Sequence, residues 1–344
     1  MDVALFDYHL PQELIAQFPV RNRDRSRLLV FDRKTDVIEH AGFRDITAYL
    51  KKGDVLVVNN TRVFKARLWG KRATGARVEV FLVRKSDKSP ETWQALVSPS
   101  KRVKEGEEIY FDKYRLSLDK YNGQGSWEIR FSSKSVRERI IAGFGRVPLP
   151  HYIRRDNQPL DIRRYQTLFA AKDKIGAVAA PTAGFHFTRS IMAEIQKRGV
   201  QIVQLTLHVG PGTFKPIKTD NIDEHIVDPE YAELSSNTAV KINKALKAGG
   251  RIFAVGTTSV RTLESAEMVD GHIRPFSGMV DLYIKPGYKF KIVEHLITNF
   301  HLPKSSLLVL VSAFADREKI LAAYREAIKY KYRFYSYGDA MLIL

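Results

Sequence analysis

Arg251-Ile252-Phe253-Ala254-Val255-Gly256-Thr257-Thr258-Ser259-Val260-Arg261-Thr262-Leu263-Glu264-Ser265 is the stretch that decides the fold class. Arg251–Gly256 reads as a short buried strand, and from about Ser259 to Val269 the chain reads as a helix. A strand that passes through glycine and three hydroxyl residues into a helix belongs to an α/β layer. The same alternation surrounds it. Thr188 is a good N-cap for a helix running to Arg198 before Gly199, and strand Gln201–His208 follows directly. Ser236 caps a second helix through Leu246, ended by Gly249-Gly250. Lys304 to Lys329 reads as helical, with a break near Asp316. The expected fold is an α/β domain with a substantially parallel sheet.

The texture differs from Asp54 to Phe131. Short strands are expected at Val55–Val58, Val78–Val83, Trp93–Val97, Glu108–Phe111, Arg115–Leu118 and Trp127–Phe131. Turn clusters such as 86–90 and 121–125 separate them. Many short strands with close turn signals specify a small antiparallel barrel or sandwich. The expected organisation is therefore discontinuous, with an α/β catalytic domain of residues 1–61 and 147–344 and an inserted β-barrel of residues 62–146. Insertion at an exposed loop costs little when the insert's ends lie close together.

Lysine and arginine number 56 against 38 acids in 344 residues, a net charge of +18. A field of that sign attracts polyanions and points to nucleic acid. There is no cysteine, which removes disulfides, thiolate nucleophiles and every Cys-based metal site and fits a reducing compartment. The nine histidines form no H-x-H or H-x-x-x-H pair, so no metal is expected. The first residues carry acids and no basic region before an apolar run, unlike a signal peptide. Ser306–Ala315 is too short to span a bilayer. A cytoplasmic monomer is expected.

Several positions are suited to chemistry. The first amides of the helix after Gly256 are free donors at a positive dipole end. Thr257, Thr258, Ser259 and Arg261 are thus candidates to hold a phosphate or carboxylate, with ordinary N-capping by Thr258 or Ser259 as the alternative. Gly210 and Gly212, in His208–Phe214, let backbone approach a ligand, although a plain turn explains them equally and the G-x-G-x-x-G spacing is incomplete. His186 and His301 follow small or polar turn residues and titrate near neutral pH, so both are candidates for proton transfer. Packed, hydrogen-bonded histidines are the competing explanation. Glu264 is their rival as a catalytic group. Two segments mix cations with aromatics as RNA-binding surfaces do: one contains Arg154, Arg155, Arg163 and Arg164, the other Tyr332, Arg333 and Tyr335. The tyrosines also suit the edge of a core.

The motifs together resemble one family, the S-adenosylmethionine:tRNA ribosyltransferase-isomerases of queuosine synthesis. The resemblance rests on Asp24–Leu29 (DRSRLL), Asn59–Val63 (NNTRV), Gly145–Pro150 (GRVPLP), Arg164–Thr167 (RYQT) and Gly176–Thr188 (GAVAAPTAGFHFT). It continues through His208–Phe214, Val255–Ser265, Thr298–Leu307 (TNFHLPKSSL) and Tyr332–Ile343 (YRFYSYGDAMLI). Pro211, Phe185 and His151 depart from the family pattern, at loop or apolar positions. The resemblance implies an α/β host with an inserted barrel. It also implies that the ribosyl part of S-adenosylmethionine moves to the 7-aminomethyl group of a 7-deazaguanine at the tRNA wobble position. The ribose rearranges to an epoxycyclopentanediol, adenine and methionine leave, and the product is epoxyqueuosine-tRNA. S-Adenosylmethionine is then a consumed co-substrate, and no permanently bound cofactor is implied. An ordinary methyltransferase and a non-catalytic RNA-binding protein are the competing readings. The first lacks its glycine-rich turn here, and the second leaves the polar turns at strand ends unexplained.

Overall fold

The computed structural model describes residues 1–86, 89–214 and 216–344. The turn expected at 86–90 therefore lies partly outside the described residues.

Nine strands form the main sheet, in the order 276–280, 230–234, 201–207, 55–59, 252–255, 295–299, 340–343, 27–32 and 37–42. The four inner strands Gln201–Leu207, Val55–Asn59, Ile252–Val255 and His295–Asn299 run parallel. Val55–Asn59 and Ile252–Val255 are buried along their whole length, as strands covered on both faces must be. Their side chains alternate between two cores. Val55, Val57 and Ala254 face the layer containing Val260, Leu263 and Leu308. Leu56, Val58, Phe253 and Val255 face Phe187, Ile191 and Ile195.

Six further strands form a closed antiparallel barrel, in ring order Arg67–Lys71, Arg77–Lys85, Thr92–Ser98, Ser126–Phe131, Tyr114–Gly123 and Glu108–Phe111. The pairing of Lys71 with Tyr110 closes the ring. The barrel has its own core, including Val80, Ala95, Leu118, Trp127 and Ile129. Arg67–Lys71 carries no strand signal beyond Leu68 and Trp69, and its Gly70 is a packing residue. A Cβ there would meet Ile109 Cγ2 at 2.5 Å. After helix Lys134–Phe144, Gly145 and Arg146 pair back onto Leu68 and Arg67. The chain thus enters and leaves the barrel side by side. Arg62–Val63 pairs instead with Ile175–Ala177. We propose that the insert starts after Val63 and ends at Arg146.

The helix after Gly256 spans Thr257–Ser265, starting before the expected Ser259 and stopping short of Val269. Met268–Val269 forms a small hairpin with His272–Ile273 instead. Ser235, not Ser236, caps the next helix upstream by accepting from the Thr238 amide. The break at Asp316 falls where expected. Its φ is 72°, and its carboxylate caps Glu318 and Lys319 between helices Ser306–Ala315 and Arg317–Lys329.

Candidate active site

The parallel strands place their C-terminal ends together, where ligands sit in open α/β sheets. The residues just beyond those ends wall a cavity. Thr257 and Thr258 follow one strand, and Phe300, His301 and Leu302 follow another. Thr182, Tyr152, Tyr335 and Ser336 complete the wall.

Gly256 makes the turn from strand to helix at φ 86° and ψ 154°, in the region that favours glycine. No side chain caps this helix. The Ser259 hydroxyl donates instead to the Val255 carbonyl at 2.8 Å, and Thr262 donates to the Thr258 carbonyl at 3.0 Å. The capping alternative is therefore not taken up. Thr258 is 6% exposed and its Oγ1 has no partner among the described residues. An uncapped helix start and a spare hydroxyl together border the cavity.

A second polar wall runs through Asn299. Thr182 Oγ1 donates to Asn299 Oδ1 at 2.9 Å, and Asn299 Nδ2 lies 3.2 Å from His186 Nε2 and 3.4 Å from the Asp339 carbonyl. His186 Nδ1 lies 2.7 Å from Ser26 Oγ, which bonds the Arg23 carbonyl at 3.2 Å. His186 is 3% exposed. Burial, with Arg23 and Arg333 nearby, pushes its pKa down to about 3. His186 thus stands one hydrogen bond behind the cavity.

His301 is on the cavity wall, with Nε2 at 2.9 Å from Thr298 Oγ1. Enclosure by protein pushes its pKa to about 3 as well. Both histidines are therefore neutral at pH 7. Tyr152 and Tyr335 pack with ring centres 4.6 Å apart and planes tilted by 31°, and the Tyr152 hydroxyl bonds Ser336 Oγ at 2.5 Å. With Phe300 and Leu302 they give the cavity an aromatic and apolar side.

Among the residues expected from sequence, Thr257, Thr258, His301 and Tyr335 meet at this cavity. The others do not line it. Ser259 is fully buried beneath it. Arg261 forms a buried ion pair with Glu230 and donates to the Leu282 and Val280 carbonyls. Glu230 also accepts from the Gly210 amide at 2.6 Å. Gly212 fits against Asp228, where a Cβ would lie 2.1 Å from Oδ2. Glu264 accepts from the amides of Lys291, Ile292 and Val293 at 2.9, 3.0 and 2.9 Å, which anchors that segment. Asn299, Thr182 and Tyr152 were not singled out from sequence. Their signal was position, since Asn299 ends a parallel strand and Thr182 lies in the small-residue run before His186.

The cationic residues divide in the same way. Arg155 is held by Asp161 at 2.7 and 2.8 Å. Arg164 donates to the Val20 and Arg21 carbonyls, and Arg333 donates to the Phe18 carbonyl. Tyr332 is 1% exposed under the Arg27 guanidinium. Arg154 and Arg163 remain exposed. Arg163 lines shallow concavities together with Arg21, Arg23, Arg44 and Arg189. Burial and the neighbouring Arg164 and Arg163 pull the Arg23 pKa down to about 10, a sign of crowded like charge. Arg23 and Arg164 also border a small pocket with Ser336, and Ser336 lines the main cavity. Among the described residues, no group of three or more His, Cys, Asp or Glu side chains is arranged to hold a metal, and no helix is long and apolar enough to cross a membrane.

Two comparisons place this geometry among known proteins. A family model described as queuosine biosynthesis protein matches residues 3–343. A crystal structure of an S-adenosylmethionine tRNA ribosyltransferase from Thermotoga maritima is 38% identical, covers 99% of this chain and 100% of its own, and superposes with a TM-score of 0.57. The match from end to end agrees with the motif order along the sequence and with the barrel inserted in an α/β host, and the chain belongs to the queuosine biosynthesis protein family.

Proposed function

We propose that this protein transfers and isomerises the ribosyl part of S-adenosylmethionine onto the 7-aminomethyl-7-deazaguanine at the tRNA wobble position. Adenine and methionine leave, and the tRNA carries epoxyqueuosine. The observation that carries this reading is the cavity at the C-terminal strand ends. Its walls combine an uncapped helix start with aromatic faces.

The methionine carboxylate fits the Thr257 and Thr258 amides and the spare Thr258 hydroxyl, which supply donors at a positive helix end. Tyr152, Phe300, Leu302 and Tyr335 exclude water from the nucleoside side. The sulfonium acidifies the adjacent C5′ protons. His301 is a weak base at a pKa of about 3, whereas the substrate's aliphatic amine is far more basic. We therefore assign C5′ deprotonation to that amine, with the proton passing on to the departing adenine so that the amine lone pair is free again to form the carbon–nitrogen bond as the carbon–sulfur bond to methionine breaks, and give His301 a neutral hydrogen-bonding role toward the adenine. An imidazolium beside the sulfonium would repel it, so neutrality at His301 suits this ligand. The anticodon-side phosphates fit the arginine face around Arg21, Arg163 and Arg189. The protein acts in this account as a cytoplasmic monomer without a metal.

Incubation with S-adenosylmethionine and tRNA bearing the aminomethyl-deazaguanine tests the reading. Free adenine and methionine in equal amounts support it. Formation of S-adenosylhomocysteine would establish methyl transfer in its place.

A further inference from the structure

We propose that Thr182 and Asn299 form an acceptor site for the ammonium group of the methionine end of S-adenosylmethionine, with His186 as the positioning residue that fixes its polarity. The proposal rests on the ribosyl-transfer reading above.

Every link in the buried chain has one direction. Asn299 Nδ2 faces the Asp339 carbonyl, which only accepts, at 3.4 Å, so the amide cannot be turned over without loss. Its other hydrogen points to His186 Nε2 at 3.2 Å. His186 must then accept at Nε2 and carry its hydrogen on Nδ1, toward Ser26 Oγ at 2.7 Å. Ser26 passes its own hydrogen to the Arg23 carbonyl at 3.2 Å. Carbonyls at both ends leave no second arrangement for a neutral imidazole.

The consequence appears at the cavity wall. Asn299 Oδ1 can only accept, so the single Thr182 proton is committed to it at 2.9 Å. Thr182 therefore offers the cavity lone pairs and no hydrogen, and Asn299 Oδ1 has a further lone pair. This wall is built for a donor. The Thr257–Thr258 wall has the opposite character, with free amides and a free hydroxyl. The two walls adjoin, since a Cβ on Gly256 would lie 3.4 Å from Ala183 Cβ. An α-amino acid carries its ammonium and carboxylate on one carbon and matches such adjacent acceptor and donor patches. A protonated His186 would need an acceptor at Nε2, which would turn the amide and reverse Thr182.

Calorimetric binding of two ligands tests this without turnover. One is S-adenosylmethionine, and the other is its deaminated analogue, which keeps the carboxylate and lacks the amine. The wild-type protein should bind S-adenosylmethionine about tenfold more tightly than the analogue. Thr182→Val should lower S-adenosylmethionine affinity to the analogue's level and leave the analogue unchanged, and Thr182→Ser should restore the preference. His186→Phe should lose the same preference. Equal weakening toward both ligands, or none, in Thr182→Val would overturn the acceptor site. A retained preference in His186→Phe would overturn the positioning role. Absence of S-adenosylmethionine binding by the wild type would instead sink the ribosyl-transfer reading, and the proposal with it.

Discussion

Thr258, Arg261 and His186 show how far a residue's type reveals its work. The Thr258 hydroxyl has no partner among the described residues and borders the cavity. Thr258→Val should weaken S-adenosylmethionine binding about tenfold, the scale of one hydrogen bond to a charged group, with little change in melting temperature. Unchanged affinity in titration calorimetry would remove the hydroxyl from the site. Arg261 was legible as a cation near a helix start, but its partner Glu230 comes from a strand far away in sequence and was not. With its charge committed to Glu230, Arg261→Ala should act mainly on stability, by about 3–5 kcal/mol, because it removes the counter-charge of a buried carboxylate. A denaturant series that finds no loss would contradict the pair's structural role. His186 was legible as an unusual histidine between two phenylalanines, yet local sequence could not reveal its burial. Its folded pKa of about 3 lies below the ordinary value of 6.5. Below pH 6.5 the unfolded chain binds a proton that the folded chain refuses, so stability falls as pH drops toward 3. At pH 5 this linkage costs about 2 kcal/mol. The acid sensitivity of the melting temperature between pH 7.5 and pH 5 should therefore shrink in His186→Phe. An identical pH dependence in both proteins would refute the neutral, buried state.

Elements were legible where local chemistry alone decides them. Thr188 accepts from the Ile191 amide at the start of helix Arg189–Lys197, and Asp316 breaks the C-terminal helical region. Both signals lie within four residues of the feature they specify. The start of helix Thr257–Ser265 was displaced because three hydroxyl residues in succession suggest a side-chain cap. Ser259 bonds backward to Val255 instead, and Gly256 takes the left-handed conformation that lets the helix begin early. Gly256→Ala should cost about 1–3 kcal/mol from backbone conformation alone. It should also weaken S-adenosylmethionine binding by moving the free amides. Wild-type stability in that variant would show that the turn is not held at positive φ. Strand Arg67–Lys71 escaped notice because it is short, carries three cations or glycines among its five residues, and is defined by its partners across the barrel.

For the whole molecule, discontinuity and charge were readable, whereas the facing of individual cations was not. Clustered short strands between two α/β segments indicated an insert, and a net charge of +18 indicated a polyanion. Which arginines remain available depends on long-range neighbours. Arg155 is spent on Asp161 and Arg164 on main-chain carbonyls, while Arg21, Arg163 and Arg189 stay exposed. Changing those three to glutamine should weaken tRNA binding and reduce its salt dependence by up to about three counterions, leaving S-adenosylmethionine binding intact. A filter-binding salt titration with unaltered slope would move the RNA surface elsewhere. The aromatic C-terminal segment that resembled an RNA platform is instead core and cavity wall, since Tyr332 is buried and Tyr335 packs on Tyr152. The central claim is that the ribose, and not the methyl group, of S-adenosylmethionine reaches the tRNA. Parallel reactions with co-substrate labelled in the ribose carbons or in the methyl carbon test it most directly. Ribose label should enter tRNA while methyl label stays in free methionine, and methyl label in tRNA without ribose label would contradict the account.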